Sequence, residues 1–187
     1  MKKLIYCFTL LFCLLPLVKA TAQSQKIRVY IETSYLYGLA EKGDGFKLTR
    51  SDSKMSGVGL HLSALYSFSK TFSVGLGLGL DRYNNPGYNS LPLFVSLQCM
   101  PLNFNRNIYV FTNVGYGVGG ADFTKGAMLD AGVGYKLILK ESFGINLRLG
   151  YNLKQIDTKV KDFWGTTEIG RIDRNRHSLF IAIGAIL

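Results

Sequence analysis

The chain has 187 residues, 48% of them hydrophobic, with 22 Lys and Arg against 12 Asp and Glu. Its length suits a single domain. Such a basic surplus can serve nucleic acid, but the basic residues are scattered through strand-like stretches and their connections rather than gathered on a helix, which argues against that class.

Lys2 and Lys3 form a basic start, Leu4–Val18 is an apolar run, and Ala20-Thr21-Ala22 gives an A-x-A pattern. Residues 1–22 therefore read as a secretory signal peptide cut before Gln23. The run is short for a membrane anchor and holds Pro16, and Phe12 before Cys13 does not suit a lipoprotein signal. The expected mature domain, residues 23–187, loses Lys2, Lys3 and Lys19 and keeps a net charge of about +7. Cys7 and Cys13 leave with the signal, so Cys99 has no intrachain disulfide partner and reads as a small hydrophobe. No later apolar run is long enough for a membrane helix. If the mature chain crosses a membrane it must do so as a closed barrel, because an open sheet edge in lipid leaves backbone groups unpaired.

Along the chain, alternation of apolar and polar residues predicts eight strands. The first, about Lys26–Leu39, sets Ile27, Val29, Ile31, Tyr35, Tyr37 and Leu39 against Arg28, Glu32 and Ser34. A polar loop is expected over Ala40–Lys54. The second, Met55–Phe68, sets Val58, Leu60, Leu62, Ala64, Tyr66 and Phe68 against Gly57, Gly59, His61 and Ser63. A tight turn at Ser69-Lys70 leads to the third, Thr71–Tyr83, with Leu76, Leu78 and Leu80 opposite Gly75, Gly77, Gly79 and Asp81. A loop over Arg82–Ser90 precedes the fourth, Leu91–Met100, and Pro101–Asn107 turns the chain into the fifth, Ile108–Val118, whose Tyr109 and Phe111 join the polar face. After Gly119–Lys125 the sixth covers Gly126–Leu139, with Asp130 and Lys136 on its polar side. Lys140-Glu141-Ser142 turns into the seventh. Gln155–Arg176 is expected as a long polar loop, and His177–Leu187 as the eighth strand.

The seventh strand, Phe143–Lys154, carries the clearest pattern. Phe143, Ile145, Leu147, Leu149, Tyr151 and Leu153 alternate without a break with Gly144, Asn146, Arg148, Gly150, Asn152 and Lys154. Side chains of a strand point alternately to its two faces, so one face is oily and one wet. About ten residues tilted near 45° cross the hydrocarbon layer, whereas most soluble strands stop at about five or six. The oily face is aromatic at both ends and aliphatic between, the order a bilayer favours. Connections two, four and six are short and one, three and seven are longer, as in an up-and-down barrel with tight periplasmic turns and longer external loops.

Two features orient the faces. Gly, Ser and Asn dominate the polar face, which suits a crowded interior better than an exposed strand. The aromatic residues of the oily face form two belts, Tyr35, Tyr37, Tyr116 and Tyr151 at one end and Tyr66, Phe68, Phe72, Tyr135 and Phe143 at the other. The expectation is thus an all-β, eight-stranded antiparallel up-and-down transmembrane barrel with its polar face inside. Its interior is just wide enough for its own side chains. Arg28, Glu32, His61, Asp81, Asp130, Lys136 and Arg148 all point inward, where unpaired charge is costly. A hydrogen-bonded ionic plug is expected, pairing Arg148 or Lys136 with Glu32 or Asp130.

Leu91-Pro92-Leu93-Phe94-Val95, Asn113-Val114-Gly115-Tyr116-Gly117 and Gly126 through Ala131-Gly132-Val133-Gly134-Tyr135 resemble the outer-membrane β-barrel domain family common in Bacteroidetes, with its OmpA/OmpX-like architecture and PorT-like members. The resemblance spans the mature chain and implies an outer-membrane location in a Gram-negative bacterium. Such barrels often end in an aromatic residue read by the insertion machinery; this chain ends in Leu187, and Phe180 is the candidate substitute. Some small outer-membrane barrels modify lipid A with a His and a Ser. Here His177 and Ser178 are adjacent, so strand geometry sends them to opposite faces. His61 and Ser63 share the closed interior. No catalytic site, metal site or cofactor is expected, and Gly75-Leu76-Gly77-Leu78-Gly79 is a strand interior rather than a nucleotide-binding turn. The expected partner of a monomeric barrel is outer-membrane lipid, including lipid A. The external loops read first as a solvated rim with basic side chains near lipid A phosphates. The alternative is a docking surface for a protein or glycan, anchored by Trp164.

Overall fold

The computed structural model describes residues 26–43, 45–102, 105, 107–120, 123–140, 143–161 and 168–187, with the side chains at 140, 158–161 and 168–172 left aside. Ten strands among these residues form one antiparallel sheet: β1 (Ile27–Gly43), β2 (Phe46–Thr49), β3 (Ser56–Ser67), β4 (Phe72–Asn84), β5 (Tyr88–Ser90), β6 (Pro92–Cys99), β7 (Ile108–Gly117), β8 (Gly126–Lys140), β9 (Phe143–Lys161) and β10 (Glu168–Ile186). β1 pairs with both β3 and β10, so the sheet closes on itself. β2 folds back only on the end of β1. β5 and β6 are one stave: Asp81 faces Ser90 and Leu78 faces Leu93 in the same register along β4. The assigned strand breaks only at Leu91, next to Pro92, which has no N–H to give a ladder. The barrel therefore has eight staves, as alternation predicted.

The expected loops are where the structure departs. Residues 155–161 and 168–176 are strand, not loop, and pair from Gln155↔Asn175 up to Lys161↔Glu168. Likewise β2 lies within the expected first loop and β5 within the third. The physical reason is common to all three. Beyond the bilayer neither face of a strand needs to be oily, so polar composition does not signal a loop there. The backbone hydrogen bonds still favour pairing.

The alternating faces are arranged with aliphatic side chains outside. Leu76, Leu149 and Ile181 are 70%, 58% and 61% exposed, while Tyr30, Tyr83 and Tyr109 are fully buried inside. Such an aliphatic exterior is stable only against hydrocarbon. The closed ladder leaves no strand edge in that layer. Glycines make room for the large inward rings. A β-carbon at Gly77 would lie 2.4 Å from the ring of Phe94, and one at Gly134 would lie 2.1 Å from Cζ of Tyr109. We expect Gly134→Ala to cost about 1–3 kcal/mol, as overpacking does, read as a shift in the urea midpoint of the barrel refolded into lipid vesicles. An unshifted midpoint would mean that the Tyr109 ring has space the structure does not show.

One irregularity changes what the outer end presents. The β1–β10 register shifts between Gly38 and Ala40, so Leu39 is an extra residue on β1. A bulge of this kind reverses the alternation beyond it. Glu41 is thereby turned inward and fully buried, while Lys42 is turned out.

Candidate functional site: the filled lumen and its outer rim

Three polar layers fill the interior. In the first, Arg148 Nη1 lies 3.0 Å from Glu32 Oε2, and both side chains are buried. Arg148 Nε donates to the Tyr109 hydroxyl at 3.0 Å, and that hydroxyl donates to Asn146 Oδ1 at 2.7 Å. Asn146 Nδ2 closes the ring by donating to Glu32 Oε1. Four side chains from β1, β7 and β9 thus bond one another around a circuit, with Arg148 Nη2 buried and without a hydrogen-bond partner. The Arg148 guanidinium also lies 4.5 Å from the ring centroid of Phe111, and Lys136 Nζ lies 4.5 Å from that of Tyr109. Aromatic faces here take the place of water against the cations. Of the expected pairings, Arg148 with Glu32 is the one formed. Arg28 lies half-buried lower on β1.

In the second layer His61 Nε2 is 2.8 Å from Asp81 Oδ1. Asp130 accepts from Asn152 Nδ2 at 2.6 Å and from Asn113 Nδ2 at 3.2 Å. A cavity of about 20 Å³ lies among Glu32, Ser34, His61, Asp81, Asp130 and Arg148. That is room for about one water molecule and not for a solute.

The third layer, above the outer aromatic belt, escaped the sequence reading. Glu41 Oε1 accepts from Arg174 Nη1 at 3.2 Å, and its Oε2 is 3.7 Å from Arg176 Nη1. Arg174 also donates to the Tyr88 hydroxyl at 2.6 Å. Burial first, and then the Glu41 carboxylate, push the Tyr88 phenol above its ordinary pKa. Arg176 donates to the Asn84 carbonyl at 2.9 Å and the Ser56 carbonyl at 3.2 Å, tying β10 across the mouth to the ends of β3 and β4. No sequence signal identifies Glu41, because its inward direction follows from the bulge rather than from simple alternation.

The residues expected at the interfaces are on the outside. Tyr35, Tyr37, Tyr116 and Tyr151 ring one end, and Tyr66, Phe68, Phe72, Tyr135 and Phe143 the other, all exposed. Phe180 is buried inside, against Phe111 and Gly150. Cys99 is a free, partly exposed thiol. His177 faces outward with its Nδ1 on the Tyr151 hydroxyl, whereas Ser178 is fully buried inside, so the two are on opposite faces. His61 and Ser63 share the interior, with Ser63 buried. Among the described residues no group of His, Cys, Asp and Glu could hold a metal ion. The expected signal peptide and Trp164 lie outside the described residues.

No protein-family model matches the chain, and no curated protein sequence matches it. Solved structures do. The outer membrane protein OprG from Pseudomonas aeruginosa superposes with a TM-score of 0.53 at 15% identity, covering 86% of this chain and 94% of that one. Neisserial surface protein A gives a TM-score of 0.47 at 13% identity, covering 83% and 95%. The outer membrane protein AlkL gives 0.45 at 16% identity, covering 86% and 90%. At these identities the likeness to OprG speaks to fold. Taken with the closed ladder and the aliphatic exterior between two aromatic belts, the protein has the fold of an eight-stranded transmembrane β-barrel.

Proposed function

We propose that the protein is a non-enzymatic, non-conducting outer-membrane barrel with a structural or surface-interaction role. The carrying observation is the circuit Glu32–Arg148–Tyr109–Asn146, which occupies the lumen with side chains bonded to one another. A pore through this layer would have to break a buried ion pair and leave both charges unpaired. Incorporation of the purified barrel into planar bilayers is expected to give no steady conductance. A reproducible open level would overturn the reading.

The surface-interaction half is supported by β9 and β10. Each has 19 residues. At about 3.3 Å per residue such a strand is about 60 Å long, far more than an apolar band about 25 Å tall requires even when tilted. The paired hairpin therefore stands out beyond the outer belt as a preformed surface for a protein or glycan, with Trp164 as its anchor. The resemblance to Bacteroidetes barrels with PorT-like members supports a second reading, in which that surface docks onto an envelope secretion or assembly machine. Co-purification in mild detergent separates the two. A stable complex supports the machine, and a lone heat-modifiable monomer supports the simpler role. Neither reading involves catalysis, so lipid A from a deletion strain is expected to keep its acyl pattern by mass spectrometry.

A further inference from the structure

The outer end of the β1–β3–β4 face differs from the rest of the exterior. Strand register stacks the outward side chains there in rows. Thr33, Leu60 and Leu80 form one row, and Tyr35, Val58, Arg82 and Asn89 form the next row up. The lower row is aliphatic apart from Thr33, whereas the upper one brings a guanidinium to the depth of the aromatic belt. Arg82 is exposed and donates to Asn89 Oδ1 at 2.7 Å. A second guanidinium, that of Arg50, lies flat over the Tyr37 ring, 3.6 Å from its centroid. It is held there by hydrogen bonds to the carbonyls of Gly38 and Met55. Tyr37 pairs with Ser56, so stacking fixes the plane of Arg50 one outward row beyond that of Arg82.

The connection after β7 builds a wall beside these rows. Thr124 donates to the Asn89 carbonyl from its N–H at 2.8 Å and from its Oγ1 at 3.0 Å. That anchor sets Phe123 against the face, and a concavity of about 550 Å³ results, walled by Val58, Leu60, Leu80, Phe123 and Arg82. It is many times larger than the lumen cavity and opens to the lipid side.

We propose that this concavity is a binding site for lipid A. An acyl chain would lie along Leu60, Leu80, Val58 and Phe123, and a phosphate of the glucosamine headgroup would be met by Arg82, with Arg50 facing the headgroup one row further out. Three features converge on that ligand. The lower part offers hydrocarbon contact. The upper part offers the Arg82 guanidinium, whose planar donor set matches phosphate oxygens, with the Arg50 guanidinium a row beyond it over Tyr37 of β1. The site is at the outer end of the barrel, where this lipid forms the leaflet. Asp52, the acid closest in sequence to Arg50, accepts from the N–H and hydroxyl of Thr49. The proposal uses the outer-membrane setting but not the closed lumen, so a conducting barrel would leave it standing.

Native mass spectrometry of the whole barrel in mild detergent tests it, titrating lipid A, its dephosphorylated form and phosphatidylglycerol in parallel. One bound lipid A is expected on the wild type. Arg82→Gln combined with Arg50→Gln should weaken it about tenfold or more, the effect of losing charge-assisted hydrogen bonds. Arg82→Gln alone, an exposed change that leaves the ladder untouched, should weaken it by a smaller factor, and so should Phe123→Ala. Lys70→Gln at the opposite end should have no effect, and heat-modifiable migration shows that each variant is folded. The proposal is overturned if the dephosphorylated lipid binds as well as lipid A, or if the arginine variants bind like the wild type. It is equally overturned if phosphatidylglycerol binds as tightly with the same dependence on arginine, which would make the site a general anionic-lipid surface.

Discussion

Glu32→Leu is expected to destabilise the barrel by about 3–5 kcal/mol, because it strands the Arg148 guanidinium inside a protein interior without its counter-charge. The ring is what makes the loss so large. Glu32 accepts from both Arg148 and Asn146, and Asn146 in turn holds the Tyr109 hydroxyl that Arg148 also uses. Removing the carboxylate takes both acceptor oxygens away, one from Arg148 and one from Asn146, in a place where water has almost no room. The measurement is the urea midpoint and slope for reversible unfolding from lipid vesicles. The double variant Glu32→Leu with Arg148→Met is the informative partner. Replacing a buried ion pair by apolar side chains of similar volume is often neutral or stabilising, so the double variant should recover most of the loss. Equal destabilisation by the single and double variants would mean that the pair contributes through packing and not through charge.

Leu147→Arg should cost about 2–4 kcal/mol, the penalty for a cation facing lipid near the midplane. Leu147 lies on β9 midway between Phe143 and Tyr151, with its side chain outward and exposed. Leu153→Arg, on the same face but beyond Tyr151, should cost only about 0–1 kcal/mol, since the penalty fades at the interface. The contrast between the two positions measures the bilayer boundary directly. If both substitutions cost the same small amount, the aliphatic exterior does not face hydrocarbon and the membrane-spanning fold is refuted.

Much of this fold was legible because a barrel in lipid constrains a sequence twice, once by alternation and once by depth. Phe143–Lys154 shows both, and its oily and wet positions are outside and inside the barrel as alternation requires. The inward placement of Glu32, Asp81, Asp130, Lys136 and Arg148 follows from the same parity. Depth stops constraining the chain where the bilayer ends. Residues 155–161 and 168–176 therefore looked like a loop, although they continue β9 and β10. Glu41 illustrates a second limit. Its direction depends on one extra residue at Leu39, and nothing local in the sequence marks that bulge.

The order of apolar and polar residues thus determined by itself that this chain forms eight staves with aliphatic side chains outside, since those properties arise from neighbours along one strand and from the solvent each face meets. Only the tertiary structure decided which charges pair, how far the outer strands run, and that Arg82 and Phe123 gather beside one lipid-facing hollow. Those outcomes depend on register between strands distant in sequence, which is set when the sheet closes and brings separated side chains within reach.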